Sequence, residues 1–396
     1  MLNSYSYSYS SKRITFLDQA VSSASNYLPI FFAVLFLGNR DVGLVSFALS
    51  IYTFLLSLIR IPIGNSFMHI PKSSPIPVLP WIYVLLLGCA TVLIAFLEKS
   101  YLEAHFGLSF YLLGGSFFAG LLEETVRLLR ISQKRFASAL LLDSIWLLTT
   151  IFWVAVSASR GNVSARDLIM AFAAGALLSG AISILYVINV TFESIAVTKI
   201  KGVRRLFHGI IFSTVVAFTQ LFVTVLYSEG LLLEYRGIYQ RAAVWFLPLG
   251  FYLNAIYLQL LSTPFATIKS DNSRSSASFN LSKRISLALT LLSFAYAIYR
   301  GISLPFYVIT GVVGLTSYVA FQSQLIGYKL LLQGHDREFS FGKFIWSITT
   351  CALSLISILF RDVLILPIML LICEIIGYIG YRQILIYTDR KKVNYD

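Results

Sequence analysis

About a dozen apolar stretches, each long enough to cross a lipid bilayer, fill the chain almost from end to end. A transmembrane α-helix needs about 20 consecutive, mainly apolar residues. Because lipid offers the backbone no hydrogen bonds, each crossing must be a helix or a strand of a closed barrel. The apolar runs are too long and too continuous for barrel strands, which alternate over about ten residues. With 57% hydrophobic and 12% charged residues, the sequence predicts an all-α polytopic membrane protein.

The apolar runs predict about 12 transmembrane helices in two six-helix lobes, and two such halves are typical of transporters. The predicted organisation is a disordered N-terminus at 1–13, an N-terminal lobe at 14–190, a linker at 191–206, a C-terminal lobe at 207–385 and a tail at 386–396. The twelve helices are predicted at 14–37, 42–67, 78–97, 108–127, 136–156, 168–190, 207–227, 242–261, 285–299, 303–326, 344–360 and 363–384.

Lysines and arginines are distributed unevenly between the two sides of this arrangement. With a cytoplasmic N-terminus, 22 of the 31 basic residues fall in cytoplasmic loops and helix ends and 8 fall on the outer side. The positive-inside rule expects such a bias. Both termini are therefore predicted to be cytoplasmic, in a multi-pass protein of the cell membrane. The net charge of +13 follows from the same rule and does not call for nucleic acid as a partner.

Motifs of several enzyme classes are absent. The sequence contains no G-x-x-x-x-G-K-[ST] phosphate loop, no G-x-S-x-G elbow, no H-E-x-x-H zinc motif and no Cys/His cluster. The predicted outer loops are short, which disfavours a glycan polymerase that must hold an acceptor sugar. We therefore expect no enzyme activity, no catalytic residues, no metal site and no cofactor.

Ionisable side chains inside the predicted spans are costly to bury in lipid and are candidates for function. Glu123 and Glu124 precede Arg127 by four and three residues, so either carboxylate can pair with that guanidinium. Asp143 reaches the same depth when the hairpin of helices four and five folds back. A structural ion-pair network of Glu123, Glu124, Arg127 and Asp143 is one interpretation, and a role of these residues in coupling to a cation is the other.

Two further charged residues each have two possible roles. Arg60, inside helix two, can bind a phosphate group bidentately, or it can pair with Asp18 or Asp143. Glu374, near the middle of the last helix, is either a carboxyl group hydrogen-bonded to a neighbouring helix or a coupling residue.

Several short segments carry a resemblance to a known family. The first helix contains FLDQAVSS at 16–23 and NY at 26–27, and the following turn reads LGNRDVG at 37–43. The fourth and fifth helices contain LEETVR at 122–127 and ALLLD at 139–143, and YRGIYQRA at 235–242 begins the matching hairpin of the second half. These segments resemble polysaccharide exporters and lipid-linked oligosaccharide flippases of the multidrug/oligosaccharidyl-lipid/polysaccharide (MOP) superfamily.

The resemblance implies two MATE-like lobes that move a glycan on a polyprenyl pyrophosphate carrier across the membrane by alternating access. From it and from the side-chain chemistry, we expect the substrate to contact Arg60, Asp18, Gln19 and Asn26. Membrane lipids and a coupling cation, H⁺ or Na⁺, are the other expected partners. Two alternatives are a cation-coupled small-molecule antiporter of the same fold and a non-transporting membrane component of envelope glycan assembly.

Overall fold

The computed structural model describes residues 3–67, 76–107, 109–133, 135–161, 163–188, 200–228, 230–248, 304–332, 336–360 and 362–393, with isolated residues between 284 and 298. Its continuous ranges contain twelve α-helices and one 3₁₀ turn, Val244–Phe246. The helices are α1 Asn3–Phe36, α2 Asn39–Phe67, α3 Val78–Leu97, α4 Lys99–Phe106, α5 Phe110–Ser132, α6 Phe136–Ser159, α7 Ala165–Ile188, α8 Ile200–Leu226, α9 Gly230–Ala243, α10 Leu304–Leu332, α11 Asp336–Phe360 and α12 Ile365–Val393.

Eight of the described helices are long and apolar enough to cross a membrane, namely α1, α2, α3, α6, α7, α10, α11 and α12. The pair α8 and α9, bent by 118° at its break, adds a ninth candidate. Helix α5 is excluded from this set by its composition, because four charged residues lie in its second half. It packs against α2, α3, α6 and α7, so neighbouring helices shield its charged side chains from lipid.

The first compact unit, Met1–Phe218, is built around α5 and α7. The two helices approach so closely at Gly180 that a Cβ atom there would lie 2.6 Å from the Cβ atom of Ala119. Small residues permit this kind of contact between membrane helices. Tyr52 of α2 packs into the same core, with its ring centroid 4.9 Å from Phe172 and 5.7 Å from Trp146. The unit is therefore a tightly packed bundle with an aromatic centre.

The second compact unit, Thr219–Asp396, has its own core. Helix α10 packs against α9, α11 and α12, and α11 packs against α12. Where α12 begins, the backbone N–H of Leu364 donates to Oδ1 of Asp362 at 2.8 Å. The buried apolar side chains of this core are Ala242, Phe246, Phe306, Ile309 and Val313.

The predicted all-α fold is confirmed, and most helix boundaries differ from their predicted positions by a few residues. Two helices were not predicted: α4 follows α3 without a loop, and α9 occupies part of a predicted outer loop. The predicted helix at 242–261 lies mainly outside the described residues, as does that at 285–299, apart from its isolated positions.

The ends of the two lobes also differ from expectation. Helix α1 begins at Asn3, so residues 3–13 of the N-terminus predicted to be disordered are helical. They extend an existing helix, which is easier than nucleating one. Of the predicted linker, 191–199 lies outside the described residues and the rest begins α8. The two units divide at Phe218, within α8. The part of α8 before this point packs on the first unit, since the Ser213 hydroxyl donates to the backbone oxygen of Leu58 at 3.3 Å.

Candidate functional site

One guanidinium, that of Arg127 on α5, joins three helices of the first unit. Its Nε donates to Oδ2 of Asp143 at 2.7 Å, and its Nη2 donates to Oδ2 of Asp18 at 2.8 Å and to Oε1 of Gln19 at 3.1 Å. Its Nη1 lies 3.5 Å from Oε2 of Glu124. The side chain of Arg127 is only 2% exposed, so these partners replace the water that a surface arginine would bind.

A second arginine extends the cluster to α2. The Nε atom of Arg60 donates to Oε1 of Glu124 at 2.8 Å, so Glu124 links the two guanidinium groups. The Arg60 side chain is 33% exposed, whereas that of Glu124 is 3% exposed. Within the part of the chain that the structure describes, neither terminal nitrogen of Arg60 has a hydrogen-bond partner. Arg60 is therefore the exposed member of a cluster whose other charged side chains are buried.

The buried charges of this cluster do not balance. It contains four acidic side chains, Asp18, Glu123, Glu124 and Asp143, and two arginines, Arg60 and Arg127. Glu123 is 1% exposed, and its Oε1 atom has no hydrogen-bond partner among the described residues. With all six groups ionised, the cluster would hold two uncompensated negative charges in a buried place, which is costly.

Polar groups of α1 surround the cluster. Gln19, which accepts from Arg127, donates from its amide nitrogen to the Ser23 hydroxyl at 2.8 Å. Asn26, about two turns beyond Gln19, is half-buried and donates to the backbone oxygen of Ser22 at 2.9 Å. Its Oδ1 atom is buried and has no partner within the described ranges. Gln19 therefore belongs to the Arg127 cluster, while Asn26 lies about two turns further along α1.

The structure brings together most of the residues that the sequence singled out in the first half. Arg60 contacts Glu124. The pairing with Asp18 or Asp143, one of the two alternatives for this residue, is not made, because both of those carboxylates contact Arg127 instead. The predicted pairing of Arg127 with a neighbouring carboxylate is made by Glu124. Sequence reasoning missed Ser22, which is 1% exposed and whose backbone oxygen accepts from the side chains of Ser25 and Asn26.

Glu374 lies in the second unit, in a different setting. The indole Nε1 of Trp346 on α11 donates to Oε1 of Glu374 on α12 at 2.9 Å. The Lys343 ammonium lies 5.4 Å from the centre of the Trp346 ring, where a cation is attracted by the aromatic face. A hydrogen bond to a neighbouring helix was one of the two roles considered for Glu374, and the sequence did not indicate Trp346 as the partner.

No protein-family model matches the sequence, and no curated protein matches it. Solved structures do. A MATE transporter in the bent conformation shares 11% identity and a TM-score of 0.60, over 97% of this chain and 95% of its own. An outward-facing multidrug resistance MATE transporter of the MOP superfamily shares 10% identity and a TM-score of 0.57, over 96% and 93%.

The lipid II flippase MurJ, in an inward closed conformation, shares 14% identity and a TM-score of 0.53, over 96% of this chain and 87% of its own. The chain has the fold of MOP superfamily transporters. The MATE-like fold that the resemblance implied is thus confirmed, and the multi-pass membrane character agrees with it. The polysaccharide-exporter branch of the MOP superfamily stays a prediction.

Proposed function

We propose that this protein is a transporter that flips a lipid-linked oligosaccharide or polysaccharide precursor across the cytoplasmic membrane by alternating access. The MOP fold supports a transport function, and MurJ, which shares that fold, is a lipid II flippase. The observation that carries the proposal is the exposed edge of Arg60. A guanidinium inside a membrane span is costly, and among the described residues this one is held by Glu124 at its Nε atom alone.

The geometry of Arg60 suits a phosphate group. A guanidinium presents its N–H groups as a rigid planar fork that matches two phosphate oxygens at once. Glu124 binds Nε and fixes the plane of the group, so the terminal nitrogens at the exposed edge are the atoms that would contact a polyprenyl pyrophosphate. Asp18 and Gln19 are buried against Arg127 and would act by fixing the cluster, while Asn26 is the expected contact for a sugar hydroxyl.

The test is a flipping assay in liposomes that hold the purified protein and a fluorescent polyprenyl pyrophosphate oligosaccharide. Quenching of the outer leaflet reports how fast the label moves. We expect Arg60→Ala to reduce the rate at least about tenfold, the loss of one charge-assisted contact of about 1.5–3 kcal/mol, and Arg60→Lys to recover part of it. Arg40→Ala is the matched control, because Arg40 is exposed on the same helix. Wild-type flipping by a folded Arg60→Ala protein would refute this function.

A cation-coupled antiporter is the second candidate, and the charge imbalance favours it. Four acidic groups beside two arginines need protons or a bound cation to become neutral. Glu123 is the acid in the cluster that has no ion pair among the described residues. If coupling occurs here, a gradient of H⁺ or Na⁺ drives transport by the wild-type protein, and Glu123→Gln abolishes that dependence while leaving the protein folded. Transport unaffected by either gradient excludes this candidate.

A further inference from the structure

A second pair of arginines lies at the end of α5, one turn beyond the Arg127 cluster. Arg130 occupies the last turn of α5, and Arg135 is the residue that precedes α6. The backbone N–H of Arg135 donates to the backbone oxygen of Arg130 at 2.8 Å. This bond closes the turn and holds the two residues next to each other.

Arg130 is buried but lacks the partners that Arg127 has. Only 8% of the residue is exposed, and its Nε atom has no hydrogen-bond partner among the described residues. Its guanidinium lies over the ring of Tyr186 on α7, 4.6 Å from the ring centre. Arg130 makes no ion pair with a carboxylate of the described ranges, and the residue that donates to its backbone oxygen, Arg135, carries a second positive charge. A buried guanidinium whose charged neighbour is another arginine attracts an anion.

Two neighbouring groups point to the same chemistry. Gln133 is 7% exposed, and its Oε1 atom also has no partner in the described part of the chain. The amide of a glutamine can be turned so that its NH₂ group donates instead. Helix α6 begins here with no side-chain cap on its first backbone N–H groups, and the positive end of its dipole favours an anion.

The negative end of the α5 dipole stabilises Arg130 in part, and cytoplasmic loops are rich in arginine in any case. Neither effect gives the buried Nε atom an acceptor, and a buried donor without one is costly. An anion between the two arginines supplies that acceptor and separates their like charges. A general excess of positive charge therefore does not explain this arrangement.

We propose that Arg130, Arg135 and Gln133 bind the phosphate of an anionic phospholipid headgroup at the cytoplasmic membrane surface. The surroundings favour a lipid as the source of the phosphate. On the same helix as Tyr186, the side chains of Ile184, Leu185 and Ile188 are 48%, 62% and 72% exposed and form an apolar surface for acyl chains. Basic pockets between membrane helices on the cytoplasmic side bind such headgroups. The proposal does not depend on which substrate the protein transports.

The test measures binding of a fluorescent phosphatidylglycerol to the purified full-length protein in phosphatidylcholine nanodiscs. We expect Arg130→Gln to weaken binding at least about tenfold, as the loss of a charge-assisted bond does. Arg135 is exposed, so Arg135→Gln is expected to fold normally and to weaken binding about fivefold. Arg160→Gln is the control, because Arg160 is exposed at the other end of α6. Tyr186→Phe keeps the aromatic face and is expected to bind normally.

Three outcomes would overturn the proposal. The first is unchanged binding of phosphatidylglycerol in both Arg130→Gln and Arg135→Gln. The second is displacement of the lipid by millimolar inorganic phosphate, which would make the ligand a free anion. The third is binding of a polyprenyl pyrophosphate but not of phosphatidylglycerol, which would place the pair on the substrate path instead.

Discussion

The Arg127 cluster makes a quantitative prediction about stability. Replacing Arg127 with Met removes its contacts with Asp143 at 2.7 Å, with Asp18 at 2.8 Å and with Glu124 at 3.5 Å. Glu124 keeps Arg60 as a partner, but Asp18 and Asp143 lose their cation while buried. Removing one member of a buried ion pair costs about 3–5 kcal/mol, and we expect Arg127→Met to lose about that much.

The second variant removes a carboxylate instead. Asp143→Leu leaves the Nε atom of Arg127 without its acceptor, while Nη2 still binds Asp18. A buried donor without an acceptor costs about 1–3 kcal/mol. In the double variant, which combines Arg127→Met with Asp143→Leu, the penalty for leaving the Asp143 carboxylate without a cation disappears because that carboxylate has been removed. The combined loss is therefore expected to be smaller than the sum of the single losses, by about 1–3 kcal/mol.

The assay is the thermal unfolding midpoint of detergent-solubilised protein, followed as the folded fraction that remains after heating. Taking roughly 2 °C per kcal/mol, Arg127→Met is expected to lower the midpoint by roughly 6–10 °C. The control, Arg160→Met at an exposed position, is expected to cost less than about 0.5 kcal/mol. If the two single shifts add within about 1 °C in the double variant, Arg127 and Asp143 are not paired and the reasoning fails.

Three further predictions concern other parts of the chain. Glu374→Leu leaves the Trp346 indole without its acceptor and is expected to cost about 1–3 kcal/mol, whereas Glu374→Gln keeps an acceptor and should cost less. If Glu374→Gln abolishes transport in the liposome assay, its role is coupling and not structural. Gly180→Val would bring a side chain into Ala119 and should lower the unfolding midpoint through a loss of about 1–3 kcal/mol, whereas Gly38→Ala, which meets nothing within 4 Å, should not. A green fluorescent protein fused to the C-terminus should fluoresce, because that end is predicted to be cytoplasmic, and a dark but membrane-inserted fusion would reverse the orientation.

The membrane fold could be predicted because hydrophobicity alone specifies it. Helix α3 begins and ends where the apolar run does, at Val78 and Leu97, since the thickness of the bilayer's hydrocarbon core sets the length of a spanning helix. The contact between Glu124 and Arg127 also followed from spacing on one helix. These features depend only on residues close together in the chain, so a single sequence is enough to predict them.

The partner of Arg60 could not be predicted in the same way. Asp18 and Asp143 lie at a similar depth to Glu124, and the choice among them depends on how far each helix is rotated about its axis. That rotation is set by contacts such as Gly180 against Ala119, which join residues far apart in the sequence. Helix α9 was missed because its mixed polar sequence resembles a loop when hydrophobicity is the only guide.

The Arg127 cluster also constrains how the first unit can take part in transport. Hydrogen bonds of 2.7–3.1 Å connect α5 to α1 and α6, and Glu124 connects α5 to α2. Separating any of these helices would leave buried charges without partners, at several kcal/mol each. The four helices are therefore expected to move as one body at this depth. Within the cluster, Arg60 alone has a side chain that is one-third exposed, so a charged substrate that reaches this part of the unit would contact Arg60 first.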